Sequence, residues 1–358
     1  MLNDDCLRIV VKQAAAFAEA DFMPQQPAPL SRFALRYNAL AALSLVGPQW
    51  KDAAQLELAR IVIVSPRNYT HILKVAREGT VFGRVRILSG CRDPRPWMSD
   101  PTDPPTLDPI LEACSAVEEV ICQAWRFSLN SLVGMKHLAR LSLLTTTIDG
   151  GLSNVVLPAR LTHLTLHDSS LEPGALDTLF NACEGNLRYL QPRIIRVEQV
   201  AFVNAILSAA HSTLRTLDLR LLAMGDPTKI FGSVQNECSA FHHHLEHLFR
   251  LEELHLIVGQ SPLARDFLTR STSAPSLRSL HLHRSPMRAP LGGDAAVWDA
   301  SLDTLLEALP QPAFRKVEFI QLDVGRATFD PANGGLDGTQ LFELQEAARA
   351  RGIKVSVT

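Results

Sequence analysis

Leu138-Ala139-Arg140-Leu141-Ser142-Leu143, Leu161-Thr162-His163-Leu164-Thr165-Leu166, Leu251-Glu252-Glu253-Leu254-His255-Leu256 and Leu277-Arg278-Ser279-Leu280-His281-Leu282 share one spelling, L-x-x-L-x-L. Looser copies stand at Val117-x-x-Val120-x-Cys122, Leu187-x-x-Leu190, Leu214-x-x-Leu217-x-Leu219 and Phe314-x-x-Val317-x-Phe319. Consecutive copies begin 21 to 37 residues apart, close to the period of about 20–29 residues that marks leucine-rich repeats. Within each copy the L-x-L portion is a short strand whose alternate residues enter the core. One copy alone is a chance event in a leucine-rich chain; eight at compatible spacing specify a repeat array. Weaker copies extend it at Leu58-x-x-Ile61-x-Ile63, Phe82-x-x-Val85-x-Ile87 and a closing strand near Ile353-Lys354-Val355.

The intervening segments read as returning helices. Pro173–Cys183 has proline in its first turn and apolar residues three and four apart, and Gly185 follows it. Residues 198–211, 238–249, 262–269, 298–309 and 339–351 repeat the pattern. Residues 93–105, which include five prolines, read as an exposed irregular loop. Thr146, Ser169 and Ser285 stand where many repeat families place Asn or Cys, and a hydroxyl there can bond the backbone at the turn after the strand. The expected fold is an α/β leucine-rich-repeat solenoid: strand–helix coils and a curved parallel sheet over residues 61–358.

Composition narrows the function classes. The 358 residues carry 35 Lys+Arg against 37 Asp+Glu, a net charge of −2, so no excess of basic residues favours nucleic acid or an anionic membrane. The acidic start Met1-Leu2-Asn3-Asp4-Asp5 is unlike an export signal, and the longest uncharged stretch is shorter than the ~20 residues that span a bilayer. The expected location is cytoplasmic and/or nuclear. Six scattered cysteines form no CxxC pair and read as reduced, mostly buried thiols. Aromatic residues are only 6% of the chain, as expected where one small aliphatic slot recurs many times.

Residues 1–60 stand apart from the array. Asn3-Asp4-Asp5 caps a helix carrying Cys6, Leu7, Ile9 and Val10, and Leu40, Leu43, Val46 and Trp50 recur at helical spacing. A further helix, Gln49 to Ala59, leads into Ile61-Val62-Ile63-Val64. The run Leu2-Asn-Asp-Asp-Cys-Leu-Arg-Ile-Val10 is similar to the opening of an F-box, L-P-x-E-x-L-x-x-I. Leu43-Ser-Leu-Val-Gly-Pro-Gln-Trp50-Lys-Asp-Ala-Ala54 resembles its second half, L-S-x-V-C-x-x-W-x-x-x-A. Asn3 replaces the proline, Asp5 the glutamate and Gly47 the cysteine, and an inserted loop, residues 17–37, separates the halves.

A three-helix F-box-like module before leucine-rich repeats resembles the fungal-type substrate receptors of SCF-type ubiquitin ligases. The resemblance implies that Leu2, Leu7, Val10, Leu40, Leu43, Val46 and Trp50 face the adaptor subunit, while the repeats hold a target protein, the chain being a monomer within a hetero-complex. The same leucines could instead pack the module onto the first repeat. A repeat scaffold without any ligase remains the other reading.

Strand alternation assigns the target face. It places Arg84, Arg86, His163, His167, Tyr189, Arg193, Arg220, His255, His281 and His283 on the concave sheet, with Thr165, Gln191, Asp218 and Glu253 beside them. The Arg/His majority predicts a preference for acidic or phosphorylated segments; a merely solvated polar face is the alternative. No nucleophile, cofactor or metal site is required. His242, His243, His244 and His247 cluster on one helix with Cys238, and His243 and His247 have metal-sharing spacing, but HExxH order and a third ligand are lacking. No phosphate-cradling glycine motif or GxSxG elbow occurs, and Asp323, Asp330 and Asp337 form no calcium pattern. The chain therefore reads as a binding protein and not as an enzyme.

Overall fold

The computed structural model describes residues 4–20, 38–78, 82–91, 106–149, 156–157, 160–167, 169–194, 197–219, 243–258, 267–268, 275–284, 302–311, 314–323 and 338–358. Two compact units emerge, one of residues 1–161 and 169–182, the other of residues 162–168 and 183–358. The division falls within the repeat array, and the helical module belongs to the first unit.

Each repeat spelling becomes a strand in parallel pairing with its neighbours. In the first unit β1 (Ile61–Val64), β2 (Ile87–Cys91) and β3 (Glu119–Gln123) pair in order. A short β4 (Arg126–Ser128) precedes β5 (Arg140–Leu144), which pairs with β3. β6 (Thr147–Asp149) follows and pairs with β4. In the second unit β7 (His163–His167) begins a new run. β8 (Ser170–Leu171) returns to the first unit and pairs with β6. The second-unit sheet continues through β9 (Tyr189–Ile194), β10 (Thr216–Leu219), β11 (Glu253–Val258), β12 (Ser279–Arg284), β13 (Phe319–Asp323) and β14 (Lys354–Val357), every neighbouring pair parallel.

The leucine slots align across this pairing. Leu217, Leu254, Leu280 and Ile320 lie in one row and Leu219, Leu256, Leu282 and Leu322 in the next, all buried. Burial of one such side chain contributes about 1.5–3 kcal/mol, and the row repeats that contribution at every strand.

Register corrects three of the weaker sequence assignments. Leu280 pairs with Ile320 and Leu282 with Leu322, so the last spelling is Val317-x-x-Ile320-x-Leu322, three residues beyond the expected one. Leu88 pairs with Val120, and Val62 with Leu88, which makes the second copy Val85-x-x-Leu88-x-Gly90 and shifts the first by one residue. Apolar residues at outward positions, Ile61, Ile63, Ile87 and Phe319, fitted the hydrophobic pattern equally well; hydrogen-bond pairing decides between them.

Gly90 fills a slot that other repeats give to leucine because Trp125 and Leu107 already occupy the space. A Cβ at residue 90 would stand 3.1 Å from both side chains. Trp125, in the turn after β3, stacks on Tyr69 at 5.6 Å between ring centroids, and the Tyr69 hydroxyl donates to the Thr106 carbonyl at 2.9 Å.

Two of the expected turn hydroxyls act as predicted. Thr146 Oγ1 donates to the Cys122 carbonyl at 2.9 Å, and Ser169 Oγ accepts from the Thr146 amide at 3.3 Å, tying three successive coils. Ser285 lies outside the described residues. Thr145, just before Thr146, and Ala124, just before Trp125 at the same place in the preceding coil, adopt left-handed backbone at φ 50° and 56°.

At the strand entrances, ion pairs join neighbouring repeats: Arg86 with Glu118 at 3.4 Å, Arg140 with Glu119 at 3.6 Å, Arg215 with Glu252 at 3.8 Å and Arg278 with Glu318 at 3.9 Å.

Helices fall near their expected positions at Pro173–Cys183, Val197–Ala209 and Gly338–Ala350, with residues 243–247 and 302–308 also helical. The loop 93–105 lies outside the described residues. No helix among the described residues is long and apolar enough to cross a membrane. Cys114, Cys122 and Cys183 are buried free thiols; burial pushes Cys114 and Cys183 up to about 12 and raises Cys122 as well. Cys6 is exposed, Cys91 half-buried, and Cys238 lies outside the described residues.

Gly90→Leu should lower stability by about 1–3 kcal/mol through overpacking, although it restores the repeat consensus; a chemical denaturation midpoint equal to or above that of the wild type would contradict the packing described. Thr146→Val should cost about 0.5–1.5 kcal/mol by removing the side-chain bond to the Cys122 carbonyl, whereas Thr146→Ser should stay close to wild type in the same titration.

Candidate functional site

Two surfaces stand out, one on the helical module and one on the second-unit sheet. In the module, helix Asp4–Ala20 packs on helix Pro48–Leu58, with the helical residues 38–44 beside them. Leu7, Val11, Leu40, Ala53 and Ala54 make its core, and Leu43, Trp50 and Leu58 pack against that core half-buried. Gly47 separates the last two helices, Pro48 starting the second, so Leu40 through Trp50 is not one continuous helix.

This arrangement corrects the expected adaptor face. Leu7 is 3% and Leu40 0% exposed: the helical period turns Leu7 and Val11 inward together, leaving neither Leu7 nor Leu40 accessible to a partner. Ile9, Val10, Leu45 and Val46 are exposed instead, Leu45 at 87% and Val46 at 66%. Val10 and Val46 thus lie where a partner could touch them, Leu43 and Trp50 do so in part, and Leu2 is outside the described residues.

On the sheet, strand alternation brings polar side chains into rows. Thr165 Oγ1 donates to Gln191 Oε1 at 3.4 Å, and Gln191 Nε2 donates to the buried Asp218 carboxylate. Thr216 Oγ1 donates to Glu253 Oε2 at 3.2 Å. Glu253 Oε1 then meets His255 Nε2 at 3.0 Å and His281 Nε2 at 3.1 Å. The His255 and His281 rings are stacked 4.1 Å apart and 10° from parallel, because both occupy the same slot in consecutive repeats.

Further contacts orient these rings. His255 Nδ1 lies 3.0 Å from His283 Nε2, and His283 Nδ1 lies 3.1 Å from Asp323 Oδ2. His281 Nδ1 lies 2.8 Å from Gln321 Oε1, while Gln321 Nε2 donates to Thr358 Oγ1 at 3.1 Å. Hydrogen bonds from His255 and then His281 hold the Glu253 carboxyl well below the usual range, against the opposing effect of burial. Glu253, His255 and His281 bring three ligand-type atoms within 4.8 Å of one another.

Part of the residue set expected on the concave sheet lies on strands. His163, Tyr189, His255, His281 and His283 lie on the strands as predicted, His163 stacking on Tyr189 at 5.6 Å, and His167 ends β7. Arg84 and Arg86 do not: Arg84 closes a 3₁₀ turn and Arg86 precedes β2, Arg86 donating to the Ala116 carbonyl at 3.0 Å. Their displacement follows from the register error at the second copy. Arg193 sits at a bulge in β9, where His167 pairs with Ile194, and Arg220 lies outside the described residues.

With Arg84 and Arg86 off the strands and Asp323 joining Asp218 and Glu253, five histidines stand against three carboxylates, and the Arg/His majority that favoured acidic targets narrows. Asp323, which the sequence offered only as a member of no calcium pattern, ends β13. The role of Glu253 was signalled by consecutive repeats spelled L-E-E-L-H-L and L-R-S-L-H-L, which put two histidines side by side beside it. The His-rich helix is less organised. His243 and His247 rings lie 4.5 Å apart, yet His247 Nδ1 is taken up by the His243 carbonyl at 2.8 Å. Burial, then His243 and His247, lower the affinity of His244 for a proton.

The repeat spelling, the parallel register and the turn hydroxyls define an α/β array of leucine-rich-repeat type. No family model and no curated protein matches the chain. Among solved structures it is similar to an internalin (inlF) from Listeria monocytogenes, at 11% identity over 94% of each chain, with a TM-score of 0.33. So low a TM-score adds nothing to the strand register, on which the fold assignment rests.

Asp218→Ala should destabilise the protein by about 1–3 kcal/mol by leaving the Gln191 amide without its carboxylate partner. Combining it with Gln191→Leu should recover part of that loss in a double-mutant cycle; strictly additive losses would show that the two side chains do not depend on each other.

Proposed function

We propose that the chain is a non-catalytic repeat scaffold that binds a protein on its second-unit sheet face, and that it serves as the substrate-recognition subunit of an SCF-type ubiquitin ligase. In this reading the helical module docks the adaptor subunit, the repeats hold the target, and the chain works as a monomer within the hetero-complex. Neither nucleic acid nor membrane is a partner, and the complex acts in the cytoplasm or nucleus.

The observation that carries the adaptor role is the set of aliphatic side chains left outside the module core. Ile9, Val10, Leu45 and Val46 are each more than 40% exposed. Exposed aliphatics grouped on a small helical module are what a helix-lined hydrophobic groove recognises. Trp50 and Leu43, the residues that give the resemblance its specificity, pack half-buried against the module core. The second reading, a scaffold without a ligase, is favoured by a module core that closes on Leu7, Val11 and Leu40 without help from any partner.

Co-expression with the adaptor subunit distinguishes the two. The wild type should co-purify with it, and Leu45→Asp combined with Val46→Asp should weaken that association at least about tenfold while leaving the thermal melting curve unchanged, since both side chains are outside the core. Failure of the wild type to bind would leave the ligase-free scaffold. Undiminished binding by the double variant would move the interface elsewhere.

A further inference from the structure

We propose that Glu253, His255 and His281 form a binding site for one transition-metal ion of the zinc class, built across the neighbouring strands β11 and β12. The inference is independent of the adaptor role. It starts from a count of hydrogen-bond donors.

A neutral imidazole has one N–H and one lone pair. Gln321 Nε2 donates to Thr358 Oγ1, which turns Gln321 Oε1 toward His281; His281 therefore donates through Nδ1 and presents its Nε2 lone pair to Glu253. On the other strand Asp323 accepts from His283 Nδ1, so His283 Nε2 accepts from His255 Nδ1. His255 Nε2 then also presents a lone pair to Glu253. With both rings neutral, two lone pairs and a carboxylate oxygen converge, at 3.0 and 3.1 Å from nitrogen to oxygen, and a cation there takes the place of the protons through which the rings otherwise bond Glu253. A divalent cation satisfies all three.

The distances fit. Zinc bonds of about 2.0–2.2 Å to nitrogen and oxygen in a tetrahedron place ligand atoms about 3.3 Å apart, so the two nitrogen-to-oxygen edges are nearly set and only the stacked rings need to tilt. Two imidazoles and a carboxylate suit zinc, cobalt, nickel or copper; calcium and magnesium prefer all-oxygen sets. Both histidines carry a polar partner on the opposite ring nitrogen, the outer-shell arrangement that fixes a ligand's tautomer. The Glu253 side chain is 37% exposed, which opens the site to the ion. Three protein ligands leave a further coordination position for water or for a side chain of a bound protein.

Untagged full-length protein, stripped with chelator and titrated with Co²⁺ and then Zn²⁺, tests this by calorimetry and by the visible absorption of four- or five-coordinate cobalt. One Co²⁺ per chain should bind, displaced by Zn²⁺, with the melting temperature rising in step. His281→Ala and Glu253→Gln should each weaken binding at least about tenfold, Gln321→Leu, which removes the partner of His281 Nδ1, about ten- to a hundred-fold, and His243→Ala combined with His247→Ala should leave it unchanged. Glu253→Gln nearly preserves side-chain volume, so loss of binding in a variant that keeps its circular dichroism spectrum and a cooperative metal-free melt separates ligation from folding. Absence of stoichiometric binding by the wild type would overturn the proposal, as would equal affinity in Glu253→Gln, or loss of the site with the helix histidines alone.

Discussion

Parallel pairing in register is the constraint on which the rest depends. A strand of four to six residues holds its place only because its two buried slots sit beside the same slots of both neighbours: Leu217 beside Leu254, Leu254 beside Leu280, Leu280 beside Ile320. A slip of one residue would bring Asp218, His255 and His281 into the core and put the leucines outside. The polar face is therefore a by-product of the apolar one. Once the leucines are seated, the residues between them are stacked at the spacing of neighbouring strands, about 4.8 Å, and side chains more than twenty residues apart in sequence become contacts.

Where the outward residues were polar, this was legible in the sequence. From Val117 to Leu282 the apolar pattern and the observed register agree, and the turn hydroxyls Thr146 and Ser169 bond as their spacing predicts. At the ends the outward positions are apolar, as at Ile61, Ile63, Ile87 and Phe319, and hydrophobicity no longer distinguishes the two sides of a strand. That ambiguity carried Arg84 and Arg86 onto a face they do not occupy. Gly90 compounded it, since its leucine-sized space is filled by Trp125 from the next turn and Leu107, a substitution that no local pattern announces.

Local clustering was a poor guide to chemistry. The four histidines near residue 244 drew notice because they are adjacent in the chain, whereas His255, His281 and His283 are separated by repeats and meet only when those repeats stack. The module followed the same rule. Spacing grouped Leu40, Leu43, Val46 and Trp50 and the resemblance set Leu7 beside them, but packing puts Leu7 and Leu40 in the core and leaves Val46, with Leu45, outside it at the turn before Pro48.

The charged pairs at the strand entrances have a further consequence. Arg86–Glu118, Arg215–Glu252 and Arg278–Glu318 are between well-exposed side chains, and such pairs contribute about 0–1 kcal/mol each. Their effect on stability is small, but each joins one coil to the next, so an arginine finds its glutamate only if the coils follow one another in the correct order. These pairs thus mark the seam between one coil and the next along the rim, a polar row running beside the leucine rows.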